Sequence, residues 1–156
     1  MFRNFDGIGD LQHQAVLRFR EQYLHLFEVD DADRPLADRL RSHVRARIAI
    51  AEEVGPLLRL ARARAVDHHN MAENTAAIRA QMADQTRQRF RTEICQLSPA
   101  EAANLTAVID TTTSLEAHEV MAAAHARTNR QITKAWVYTL QALLDPWLTD
   151  QTEALT

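Results

Sequence analysis

Leu36, Leu40, Val44 and Ile48 recur every four residues, and Ala51 and Val54 carry the same stripe onward. Spacings of three and four place apolar side chains on one face of a helix, whereas a half-buried strand would alternate every second residue. The period returns at Met71, Thr75, Ile78, Met82, Phe90 and Ile94, again at Leu105, Val108, Ile109, Thr112 and Leu115, and last at Ile132, Trp136, Thr139, Leu140, Leu143, Leu144 and Trp147. Such helices are marginal alone and gain stability by burying the stripe against one another. The constraint is therefore an all-α fold, a bundle of about six helices. With 3 glycines and 4 prolines among 156 residues, little in the chain interrupts it.

The punctuation sets the boundaries. An amphipathic helix is expected from Gly9 to about Phe27, ended by the acidic run Glu28, Asp30, Asp31 and Asp33. Pro35 suits the first turn of the next helix, which should kink or break at Gly55-Pro56 and continue to about Ala65. Asp67 to Asn70 reads as a connection, and helix resumes near Met71 and runs to about Cys95, with a polar turn near Thr86 that can line a cavity. Ser98-Pro99-Ala100-Glu101 is a capping box with proline at the first helical position, opening a helix expected to persist to around Ala124. Thr128 and Gln131 form a second box that opens the last helix, disturbed near Asp145-Pro146.

The sequence excludes several chemistries. Gly7, Gly9 and Gly55 do not form a phosphate-binding loop, no HExxH occurs, and one cysteine cannot build a thiolate zinc cluster. No nucleophile and base set stands out, so neither an enzyme nor a cofactor is expected. Cys95 reads as a buried small hydrophobe, and the adjacent His68 and His69 as surface residues. Two readings stay open for His118: a hydrogen bond to a small ligand, or a satisfied interior histidine. The net charge of −3 provides no general attraction to phosphate. Arg39, Arg41, Arg45, Arg47, Arg59, Arg62 and Arg64 concentrate positive charge locally, and read as a solvated helical face countered by Glu52 and Glu53. The single cysteine, the lack of a secretory leader and the lack of an apolar run of about 20 residues lead to the expectation of a cytoplasmic protein with no membrane span.

Two stretches resemble the TetR family of transcriptional regulators. FRNFDGIGDL is similar to the end of that family's recognition helix and the start of the next helix, with Phe2, Asn4, Phe5 and Leu11 at the aromatic, polar, aromatic and leucine places. The stretch from Arg89 to Leu144 resembles the regulatory domains of one branch, through its basic helix end, Leu-x-Pro-x-Glu cap, Asp-x-x-Thr-Ser element and closing apolar helix. The resemblance implies that Met1 is an internal position of a longer reading frame. Residues 1–8 would then be a remnant of the helix-turn-helix domain, with Phe2, Arg3 and Asn4 from its DNA-binding element, and residues 9–156 the effector-binding and dimerisation domain.

The mechanism implied is a homodimer that holds two heads at the spacing of successive major grooves of operator DNA, and a ligand that prefers another head separation. For the dimer surface the expected residues are Val108, Ile109, Thr112, Trp136, Thr139, Leu140, Leu143 and Trp147 on the last two apolar helices; the same residues could instead face the core of one protomer. For a small, largely apolar effector, Phe19, Tyr23, Val44, Ile48, Met71, Ile78, Met82 and His118 supply apolar walls with a few polar handles, although core packing accounts for any one of them. The rival reading is a stand-alone helical interaction module, with no ligand and no DNA, docking through an exposed apolar face of the last helix.

Overall fold

A computed structural model of the chain describes residues 18, 21–64 and 69–146, without the side chains of Arg64, His69, Asn70, Met71 and Asn74. Among these residues the protein is all-α. A 3-10 turn, Leu24–Phe27, precedes α1 (Leu36–Glu53) and α2 (Gly55–Arg64). Then come α3 (His69–Arg89), the short α4 (Arg91–Ile94), α5 (Pro99–Thr112), α6 (Leu115–Glu119) with a π-helical turn at Val120–Ala124, and α7 (Asn129–Leu143).

Both capping boxes form. Glu101 N–H donates to Ser98 Oγ while Ser98 N–H donates to Glu101 Oε2, and Thr128 and Gln131 repeat the exchange at the start of α7. The break expected at Gly55-Pro56 falls at Val54. There Val54 N still donates to Ile50 O and Leu58 N to Val54 O, so α2 follows α1 with one residue of interruption. Proline removes one donor without removing the rest of the ladder.

Two expected helices are each divided. The helix projected from Met71 to Cys95 breaks at Phe90 (φ −108°, ψ 24°), which is fully buried. The helix projected from Ser98 to Ala124 breaks at Thr113 and Ser114. Thr113 Oγ1 donates to the Ile109 carbonyl at 2.9 Å, and extended Ser114 accepts from Ala117 N at 3.0 Å, so a hydroxyl closes one helix and the next hydroxyl opens another.

Two apolar cores share α1. Leu36, Leu40 and Val44 meet Phe90, Leu105, Ile109, Ile132, Trp136, Leu140 and Leu144. Further along, Ile50, Ala51 and Val54 meet Leu58, Ile78, Met82 and Leu115. The stripe of α7 is thus spent inside the protomer, which corrects part of the expected dimer seam. Ile109, Trp136 and Leu140 are at most 2% exposed, and side chains so enclosed offer no surface to a second subunit. Of the other residues expected there, Val108 and Thr139 are exposed, Thr112 and Leu143 are half-buried, and Trp147 lies outside the described residues. No helix among the described residues is long and apolar enough to cross a membrane.

Candidate functional site: a polar seam and its cavity

Arg39, His43 and Arg47 stand at i, i+4 and i+8 of α1, beside the Leu36-Leu40-Val44 stripe, and all three are buried. This overturns the solvated-face reading for Arg39 and Arg47; Arg41 and Arg45 do face solvent. A buried guanidinium requires a partner, because its desolvation is otherwise uncompensated. Arg39 is fully engaged: its Nη1 and Nη2 donate to the two carboxylate oxygens of Glu93 at 2.8 and 2.6 Å, Nη1 also to Arg89 O, and Nε to Arg34 O. Nearby, Arg89 Nε donates to Asp31 Oδ1 at 2.9 Å, both side chains only 4% exposed. Burial pulls the Asp31 carboxyl upward, but hydrogen bonds from Arg89 and Ser42 and the Arg89 charge more than offset it, leaving the pKa below its usual value.

His43 lies between these pairs and Arg47. Its Nε2 is 3.2 Å from Thr113 Oγ1, whose hydrogen is already donated to Ile109 O. The hydroxyl can only accept, so His43 carries its proton on Nε2. The other nitrogen, Nδ1, is buried with no hydrogen-bond partner, and the ring sits edge-on to Phe90. Burial first, then the charges of Arg47 and Arg89, hold the imidazole pKa well below its usual 6.5.

Arg47 joins three elements through one nitrogen. Nη2 donates to Asp110 Oδ1 at 2.5 Å and lies 2.7 Å from both Met82 O and Thr86 Oγ1, while Thr86 Oγ1 donates to Asp110 at 2.8 Å. Three acceptors crowd two hydrogens, whereas Nε and Nη1 have no partner. Burial lowers the guanidinium pKa to about 10 against the opposing pull of Asp110, so it remains charged at neutral pH.

Arg47 is also part of the wall of a cavity of about 170 Å³. Leu58 and Arg62 of α2, Thr75, Ile78, Arg79 and Met82 of α3, and Asp110 and Thr111 of α5 surround it, with Ser114 and with Leu115 and Glu116 of α6. Arg62 donates to Glu116 and Glu119 at 2.8 and 2.6 Å, and Arg79 to Glu116 at 2.6 Å. The hydrogen bond that Arg62 donates to Glu119 is the first cause of its raised pKa. Burial raises the Glu116 pKa, and the hydrogen bond from Arg79, a backbone hydrogen bond and the charges of Arg79 and Arg62 bring it down further than that, so the carboxylate stays ionised.

Of the residues expected at an effector cavity, Ile78 and Met82 line this one. Val44 is enclosed in the first core and Ile48 packs against it, while Tyr23 packs on the second. His118 is elsewhere: Nε2 bonds Asn129 Oδ1 at 2.7 Å and its ring meets Trp136 edge-on at 6.2 Å. Phe19 and Phe2, Arg3 and Asn4 lie outside the described residues, as does the side chain of Met71. Cys95, expected to be buried, is exposed, one residue past the short α4. Among the described residues no cluster of three or more His, Cys, Asp or Glu side chains could hold a metal ion.

Sequence reasoning missed Arg47 and Asp110, although one signal was available. The side of α1 that bears His43 and Arg47 continues seven and eleven residues past His43 into Ile50 and Val54, so it points inward. Compared with models of known families, with curated proteins and with solved structures, the chain matches none.

Proposed function

We propose that this chain is the ligand-sensing and dimer-forming part of a TetR-like transcriptional regulator in the cytoplasm, with operator DNA read by a helix-turn-helix head. The observation that supports the reading is the cavity. Its walls come from α1, α2, α3, α5 and α6, so a molecule bound there touches five helices at once and favours whichever arrangement fits it best. A shift in head separation could be no larger than the ligand's differential affinity for the two arrangements.

The dimer in this reading uses the outer side of α5 and α7. Val108 and Tyr138 are 48% and 75% exposed, and Thr112, Thr139 and Leu143 are on the same two helices. Trp136 is not part of it. Light scattering tests this half: a dimer that Val108→Asp with Leu143→Asp converts to a folded monomer is the expected result, and a wild-type monomer at high concentration would remove the two-fold switch. Thermal-shift screening of a broad small-molecule library tests the other half. At a ligand concentration of about 100 Kd, stabilisation should be about 2.7 kcal/mol; no stabilising compound would leave the interaction-module reading in its place.

A further inference from the structure

The cavity wall is not electrically neutral. Three arginines (Arg47, Arg62 and Arg79) face two carboxylates (Asp110 and Glu116), and the neighbouring Arg59–Glu119 pair leaves the excess of one positive charge unchanged. That excess coincides with unused donors. Arg47 is 1% exposed, its Nη2 is saturated by three acceptors, and its Nε and Nη1 remain without a partner. A buried donor left unsatisfied costs folding free energy, and more when the group is charged. A ligand acceptor reaching Arg47 would recover that cost.

The rest of the wall is hydrocarbon. Leu58, Ile78, Met82 and Leu115 belong to the second core and leave a cavity of about 170 Å³, close to the roughly 150 Å³ that admits benzene in an engineered protein cavity. A ligand with one acidic head and a body of one ring or about six carbons satisfies both size and polarity.

We propose that the cavity takes a small monoanionic carboxylic acid, the carboxylate accepting hydrogen bonds from the Arg47 guanidinium and the hydrocarbon part packing on Leu58, Ile78, Met82 and Leu115. The inference rests on the ligand-sensing reading above and names the chemistry of its ligand. Arg47 supplies what a carboxylate needs: a fixed positive charge and the two unengaged hydrogens of Nη1, in a site where water competes weakly.

The full chain is titrated calorimetrically with benzoate and hexanoate, and in parallel with benzamide and hexanamide, while nitrogen–proton spectra follow the arginine Nε groups. The acids should bind at least about tenfold more tightly than the amides, the ratio expected for one charge-assisted hydrogen bond, and should move the Arg47 Nε signal. Equal binding of acids and amides overturns the acid reading and leaves a ligand-binding cavity; binding of none of the four counts against both. Arg47→Met combined with Asp110→Asn removes the ion pair as a unit and strands no charge. It should abolish the preference for acids while amides still bind. A preference that survives in this variant would place the anion on Arg62 or Arg79 and overturn the proposal. Should the double variant not fold, the wild-type spectrum decides, since an Arg47 Nε signal unmoved by bound benzoate refutes the contact.

Discussion

His43 should make the protein lose stability as the solution becomes mildly acidic, by an amount fixed by one proton. In the folded chain the Nε2 proton is directed at Thr113 Oγ1, and protonating Nδ1 would bury a cation with no acceptor near the charges of Arg47 and Arg89. The unfolded chain has no such restriction and takes the proton near pH 6.5. Below that value the unfolded state therefore binds more protons than the folded one, so stability rises with pH and falls as pH drops through the unfolded pKa. Between about pH 7.5 and about pH 5.5 one such group removes about 1.4 kcal/mol, provided it stays neutral in the folded state throughout. Asp31 and Glu116 have depressed pKa values, and the stability they contribute is lost only as pH falls through the carboxylate range, largely outside this window. Urea denaturation of the wild type and of His43→Gln at each pH isolates the effect, since glutamine can still donate to Thr113 and does not titrate. The difference between the two stabilities should change by about 1.4 kcal/mol across the window. A constant difference, or an imidazole that spectra show to be protonated at about pH 5.5 in the folded protein, would refute the argument.

Three further outcomes follow from the packing. Glu93→Gln leaves the Arg39 charge buried without its counter-ion and should cost about 3–5 kcal/mol in urea, whereas Asp38→Asn, at the exposed pair with Arg41, should cost less than about 1 kcal/mol. Trp136→Ala should cost about 3–5 kcal/mol, and Trp136→Asp should yield unfolded or aggregated protein instead of a clean monomer, because the ring is 2% exposed inside the protomer. Ala126 adopts φ 51° in the turn before α7. Ala126→Gly relieves that left-handed strain and should raise stability by about 0.5–1 kcal/mol, measured as a shift in the urea midpoint.

Local signals in the chain proved readable, and long-range ones did not. Ser98 with Glu101 and Thr128 with Gln131 satisfy each other across three residues, so their spacing contains the whole interaction. The apolar stripes likewise showed which faces turn inward. They did not show against what: Trp136 and Leu140 satisfy the period equally well on a dimer seam or against Leu40 and Val44, and the latter is what the fold adopts. Arg39 and Arg47 were misread for a related reason. Their partners, Glu93 and Asp110, lie 54 and 63 residues away, so the inward-facing side of α1 was legible locally but the carboxylate that receives each arginine was not. Thr113 and Ser114 gave no warning that the helix from Ser98 would divide, because a hydroxyl bonded to the carbonyl four residues back, as Thr113 is to Ile109, occurs within helices as well as at their ends.

The Arg47–Asp110 pair links the seam to the proposed ligand through a trade of counter-ions. The arginine side chain is completely enclosed and the aspartate side chain is 24% exposed, so the two do not depend on the bond equally. Removing the aspartate charge leaves a buried guanidinium unpaired, while water can serve the aspartate if the arginine is lost. Asp110→Asn should therefore destabilise the chain by about 3–5 kcal/mol in the absence of ligand. A carboxylate in the cavity could then replace the missing charge. Benzoate should accordingly raise the melting temperature of Asp110→Asn by more than it raises that of the wild type, and benzamide should not show this difference. If benzoate stabilises the two proteins equally, the anion does not reach Arg47, and the cavity and the polar seam are independent features of the fold.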